Sequence, residues 1–182
     1  DVAQATDILA DIIQNSEISE DAVQRERGTI LREMQEVESQ VEEVVFDDLH
    51  SAAYQKCSLG RTILGPEENI KTITREDIKD YIGTHYTGNR MVVVGTGAVT
   101  QEELEKLAGD KFSGVPAEPT TGKKPVKESA IFTGSDIRAR YDDYPLAHVT
   151  FAFESVGWSH SDSIPLMVMQ SLLGSWDTSV SG

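Results

Sequence analysis

The chain has 182 residues, 38% of them apolar, and carries 31 acidic side chains against 16 basic ones for a formal net charge of −15. That excess of acid argues against a nucleic-acid partner, whose phosphates need basic neutralisation, and suits either a basic peptide partner or plain solubility. One cysteine, Cys57, excludes an internal disulfide, and no apolar run is long enough to be a transmembrane segment.

The chain opens on Asp1 rather than Met and reads equally well as a mature form or as a piece of something longer. Ile8, Leu9, Ile12 and Ile13 fall on one stripe of a helix spanning Val2 to Gln14. Ser19 then caps a second helix, with Glu20 and Asp21 in the first turn, where the positive end of the helix dipole favours acids. The spacing of Val23, Ile30, Met34, Val37, Val41, Val44, Val45 and Leu49 predicts one long helix over residues 20–53, with Gly28 a point of kinking or close packing. Residues 55–70, QKCSLGRTILGPEENI, read as a loop.

Thr74 with Asp77, and Thr100 with Glu103, have capping-box spacing and open two further helices, the first burying Ile78, Tyr81 and Ile82. Between them RMVVVGTG is a continuous apolar run closed by glycines, the pattern of a buried strand, and His148 to Glu154 reads as another. A last helix begins near Ser163, with Pro165 tolerated in its first turn. Three prolines between Gly114 and Ser129 mark a linker. The expected organisation is α+β: a first unit over residues 1–115, a linker over 116–129 and the start of a second unit over 130–182.

Advancing about 100° per residue along the long helix, Ile30, Met34, Val37 and Val41 share one direction, and Glu26 and Glu33 fall about 40–70° from it. The two acids are seven residues apart, hence on one side and separated by roughly 10 Å of rise. Glu36, Glu38, Glu42 and Glu43 fall farther round and read as solvated. A carboxylate at a core edge needs compensation, because burying it unpaired costs several kcal/mol or forces a proton onto it. Three explanations stay open: Arg27 or Arg32 folds back on it, the helix edge is wet, or the carboxylate serves a metal.

No metal site is complete on sequence alone. His50, His85, His148 and His160 form no His-x-x-x-His pair, and a catalytic zinc needs about three protein ligands. The GTG after MVVV lacks the third glycine of a dinucleotide turn, since Thr100 stands in its place, and LGRTILG lacks the Lys-Ser/Thr ending of a phosphate loop.

ADIIQNS, RERGTILREMQEVE, VVFDDLHSAAYQ, LGRTILGPEENI, DYIGTHY, FTGSDIRARYDDYPLAHVTFAFESVGW and SIPLMVMQSLLG together span nearly the whole chain. In combination they resemble the inverted-zinc-motif metallopeptidases related to pitrilysin and insulin-degrading enzyme, in the branch that processes mitochondrial presequences. The resemblance implies a helix-rich layer packed on a mixed sheet in pitrilysin-like half-domains, the first ending near residue 115 and the second truncated. It makes Glu33, in LREM, the distant metal ligand, and Glu26, in RERG, an acid that orients the ligands. It implies Zn²⁺, which lowers the pKa of its bound water and polarises the scissile carbonyl. The His-x-x-Glu-His helix that completes such a site is absent from the 182 residues and is expected upstream of Asp1. The fragment itself is therefore expected to lack peptidase activity and to bind zinc weakly or not at all. Implied partners are an alpha subunit of the same processing enzyme and basic presequence peptides. The implied location is the mitochondrial matrix, with inner-membrane association through the cytochrome bc1 complex. A structural core 1 subunit of that complex, and a non-enzymatic interaction module, remain as alternatives.

Overall fold

The computed structural model describes residues 1–174. Seven α-helices follow one another among these: α1 (Val2–Asn15), α2 (Glu20–Glu38), α3 (Val41–Ala53), α4 (Glu67–Thr72), α5 (Arg75–His85), α6 (Gln101–Lys111) and α7 (Ser163–Leu173). Short 3₁₀ turns occupy Ser58–Gly60 and Gly88–Arg90.

Helix starts follow the local chemistry of the sequence. Ser19 Oγ accepts the Ala22 N–H at 3.3 Å and opens α2. Both capping boxes close: Thr74 Oγ1 accepts the Asp77 N–H at 3.2 Å while Asp77 Oδ2 accepts the Thr74 N–H at 2.8 Å. Thr100 and Glu103 exchange the same pair of bonds at 3.2 and 3.1 Å. The bond from the Thr74 backbone, then that from its hydroxyl, hold the Asp77 carboxyl below the usual carboxylate range. A lowered folded-state pKa contributes stability above the unfolded value near 3.9, and that contribution is lost as pH falls through the folded value. Asp77→Asn is therefore expected to be less stable than the parent at neutral pH, with the gap closing below about pH 4. Urea midpoints across pH check this; a gap that persists undiminished in acid contradicts it.

The single helix expected over residues 20–53 is two helices. Ser39 Oγ donates to Glu36 O at 2.6 Å, an alternative to the helical ladder that serine offers readily, and Gln40 turns to extended backbone before α3 begins. Gly28 lies inside the continuous α2, and a Cβ there would meet nothing nearer than Arg32 Nη1 at 3.7 Å. The stretch expected as loop holds the first 3₁₀ turn and the start of α4, which Pro66 precedes and Glu67 and Glu68 open.

The α+β expectation, with a mixed sheet under the helices, is not met. Among the described residues every regular element is helical and no strand pairs with another. The run at Met91–Val94 has no ladder, and Val92 and Val94 are 86% and 77% exposed. His148 to Glu154 is likewise unpaired, with Phe151 and Phe153 in solvent. A strand is completed by the backbone of a second segment, and an apolar run supplies only a preference for burial. Among the described residues neither run is paired with a second segment.

Packing is organised as corners. Helix α1 lies on α6, α2 on both α3 and α4, and α3 on the first 3₁₀ turn. Among the described residues the buried apolar ones are Ala10, Val23, Ala52, Ala53, Cys57 and Ile70. Total accessible surface is 14796 Å², against about 8,700 Å² for a self-contained globule of this mass. The α1 stripe shows why: Thr6 and Ala10 are buried, whereas Ile8, Leu9 and Ile12 are exposed.

The later part of the chain returns to the earlier helices. Pro116 O accepts the Gly88 N–H at 2.9 Å, Thr120 N–H donates to Gly83 O at 2.9 Å, and Lys123 pairs with Asp80 at 2.7 Å along α5. Residues 128–135 are pinned to the end of α3 and the turn after it. Thr133 N–H donates to Ala53 O at 2.8 Å, and Glu128 Oε2 accepts the Ser58 N–H at 2.6 Å.

Candidate functional site

Helix α2 carries the acids singled out by the sequence, and its packing decides where they face. Val23 is buried, and Arg27, Ile30, Leu31, Met34 and Val37 are half-buried against α3 and α4. Glu26 and Glu33 lie on the flank of that face and both are exposed. Glu36, Glu38, Glu42 and Glu43 are exposed as well, as the periodicity predicts.

Of the three explanations for acids at a core edge, arginine pairing is not what the side chains do. The Arg27 guanidinium donates from Nε to Ile70 O at 2.8 Å and from Nη2 to Ile73 O at 2.6 Å, with Nη1 on Gln24. Arg32 donates to Thr29 Oγ1 at 3.3 Å, and Arg25 pairs with Asp21 one turn back. Among the described residues neither Glu26 nor Glu33 has an ion pair or a side-chain hydrogen bond. Both carboxylates stand at a wet edge with their oxygens uncommitted.

These residues fit one donor's share of a metal centre and not a whole centre. Among the described residues no group of three His, Cys, Asp or Glu side chains comes together. Three of the four histidines are engaged locally. His50 Nδ1 bonds Phe46 O at 2.8 Å, and His85 stacks on Tyr81 with ring centroids 4.4 Å apart. His160 Nδ1 accepts the Asp162 N–H at 3.1 Å. His148 lines a shallow cavity of about 470 Å³ with Gln40, Glu42, Glu43, Tyr144 and Leu146, and a second hollow of about 430 Å³ lies between α5 and Lys123. Neither contains Glu26 or Glu33.

Sequence reasoning missed two features. Helical spacing offers Arg27 as a partner for acids, whereas it caps the carboxyl end of α4. Orphan carbonyls at the end of a helix attract cations, but pairing one with a helix 43 residues away in sequence needs the fold. Cys57 sits in a polar stretch and is nonetheless buried, because α3 and the first 3₁₀ turn close over it.

Comparison with known proteins gives the family. Residues 1–67 match the signature described as "Insulinase (Peptidase family M16)", and residues 72–180 match "Peptidase M16 inactive domain". The chain belongs to peptidase family M16. It is 53% identical over 182 residues to the probable mitochondrial-processing peptidase subunit beta of Arabidopsis thaliana, covering 100% of this chain and 34% of that protein. Identity to the mitochondrial-processing peptidase subunit beta of Bos taurus is 54%, covering 100% of this chain and 37% of the relative. The chain thus spans about a third of the length of these relatives. Among solved structures, a chain of Complex III2 from Candida albicans, with Inz-5 bound, superposes with a TM-score of 0.66 at 25% identity. The match covers 79% of this chain and 34% of that one.

Proposed function

We propose that this chain is part of the beta subunit of a zinc metalloendopeptidase that removes N-terminal targeting presequences from proteins imported into mitochondria. The observation that carries the reading is identity of 53–54% along all 182 residues to proteins named as that subunit. Glu33 supplies one carboxylate to a Zn²⁺ centre, and Glu26, two turns earlier on the same flank of α2, orients the ligands. Their exposure without any arginine partner supports this, since an uncommitted carboxylate binds a cation without first giving up an ion pair. The remaining ligands and the water-activating acid come from outside the 182 residues, which contain no His-x-x-Glu-His.

An alpha subunit completes the enzyme, the substrates are basic presequence peptides, and the location is the matrix. The net charge of −15 supports capture of a basic extended peptide. Residues 1–115 belong to the first peptidase half-domain, 116–129 link it, and residues from 130 begin the second. A second reading, a core subunit of the cytochrome bc1 complex, is favoured by the superposition on a Complex III chain, at less than half the identity of the peptidase relatives.

The two readings separate in one experiment. The full-length protein is purified with its alpha subunit and given a basic presequence peptide with and without chelator. Cleavage that chelator abolishes and Zn²⁺ restores is expected. A protein that co-purifies with the bc1 complex and leaves the peptide intact with Zn²⁺ present supports the structural role instead.

A further inference from the structure

The Arg27 fork bears on how the acids of α2 are aimed. Its Nε and Nη2 reach the carbonyl oxygens of Ile70 and Ile73, at the carboxyl end of α4, at 2.8 and 2.6 Å. Those carbonyls have no onward helical partner, and the negative end of a helix dipole favours a cation there. A matching bond runs the other way: Arg75, the first residue of α5, donates from Nε to Ile18 O at 2.6 Å. Ile18 holds φ of 45°, a left-handed conformation that a β-branched residue rarely adopts, immediately before the Ser19 cap of α2. The α4–α5 corner therefore grips α2 at its entry and again along its second turn.

We propose that Arg27 is a positioning residue that fixes the rotation of α2 about its own axis and so the direction in which Glu33 is carried. This rests on the reading of Glu33 as a metal ligand. At about 100° per residue, Arg27 stands on one side of the packed face and Glu26 and Glu33 on the other, about 100–120° round the helix. The face between them is Val23, Ile30, Met34 and Val37. Apolar packing is non-directional and tolerates small rotations, whereas a two-pronged guanidinium on two fixed carbonyls does not. With side chains extending about 6 Å from the axis, a 10° rotation moves a carboxylate by about 1 Å, a displacement that can cost about 100-fold in a catalytic site. A ligand site likewise needs its donors held within about 0.5 Å.

The test uses the full-length protein with its alpha subunit and reads Zn²⁺ affinity by competition with a chromophoric chelator, alongside circular dichroism and thermal midpoint. Arg27→Ala and Arg27→Lys are expected to keep the helical spectrum and to lower Zn²⁺ affinity by about 10-fold or more, the size of effect seen when a ligand's orienting partner is removed. Lysine retains the charge and cannot reach both carbonyls, so Arg27→Lys decides the question if the alanine variant does not accumulate folded. In a Glu33→Gln background the further loss from Arg27→Ala is expected to vanish, because the residue acts through Glu33; a role in stability alone gives no such coupling. Affinity within two-fold of the parent in Arg27→Lys, or an undiminished loss in the double variant, overturns the inference while leaving Glu33 as a ligand. Unchanged Zn²⁺ affinity in Glu33→Gln alone overturns the underlying reading and the inference with it.

Discussion

On the proposed reading, Glu33→Gln in the full-length protein, purified with the alpha subunit that reading assigns to it, is expected to lower Zn²⁺ affinity by more than about 100-fold, and Glu26→Gln by about 10–100-fold. The ranking follows from the roles proposed. Removing the charge from a coordinating carboxylate takes away a bond to the metal and part of the neutralisation of its double charge. Removing it from an orienting partner leaves the ligand set intact and only loosens it. Both side chains are exposed and make no ion pair among the described residues, so neither change abandons a buried arginine there, and thermal midpoints are expected to move little. Peptide cleavage is expected to fall with metal occupancy and to recover partly in Glu26→Gln at high Zn²⁺. Chelator competition on the two variants decides the matter. A larger loss at Glu26 would reverse the assignment, and equal losses would contradict the ranking.

The second large effect belongs to stability. A Cβ on Gly60 would lie 2.2 Å from Tyr54 O, 3.0 Å from Tyr54 C and 3.3 Å from His50 O. All three atoms are backbone at the end of α3, so no side chain can swing aside and the 3₁₀ turn must separate from the helix. Gly60→Ala is expected to destabilise by about 3 kcal/mol, the upper part of the range for overpacking a well-filled site. Gly28→Ala is the control. It places the same methyl in α2 with 3.7 Å to its nearest neighbour and is expected to stabilise by up to about 1 kcal/mol through helix propensity. Denaturant titrations of the two variants against the parent measure both signs. A Gly60→Ala midpoint equal to that of the parent contradicts the packing described.

What the sequence made legible was local. Ser19, Thr74 with Asp77, and Thr100 with Glu103 announce helix starts because a cap is a bond between residues two or three apart. The break at Ser39–Gln40 is harder to read, since the apolar spacing runs through it and only the serine's competing bond signals the stop. Pro66 and the two acids after it do signal α4, and the surrounding glycines mask them. The expected sheet failed for a different reason. Val92 to Val94 have the composition of a buried strand, but pairing depends on a second segment that their own residues do not specify. On the candidate site, periodicity placed Glu26 and Glu33 on one flank and left their partners open; the structure gives Arg27 to α4 and leaves both acids without a side-chain bond among the described residues.

The corner that Gly60 permits also shuts away the chain's one thiol. Cys57 is 4% exposed, and its Sγ donates to Tyr54 O at 3.3 Å, the same carbonyl that a Gly60 side chain would strike. An alkylating reagent reaches that sulfur only when the turn lifts from the helix. Because no other cysteine among these 182 residues competes for the label, iodoacetamide incorporation into the peptide that carries Cys57 is a clock for the opening of this one joint, read by mass without an added probe.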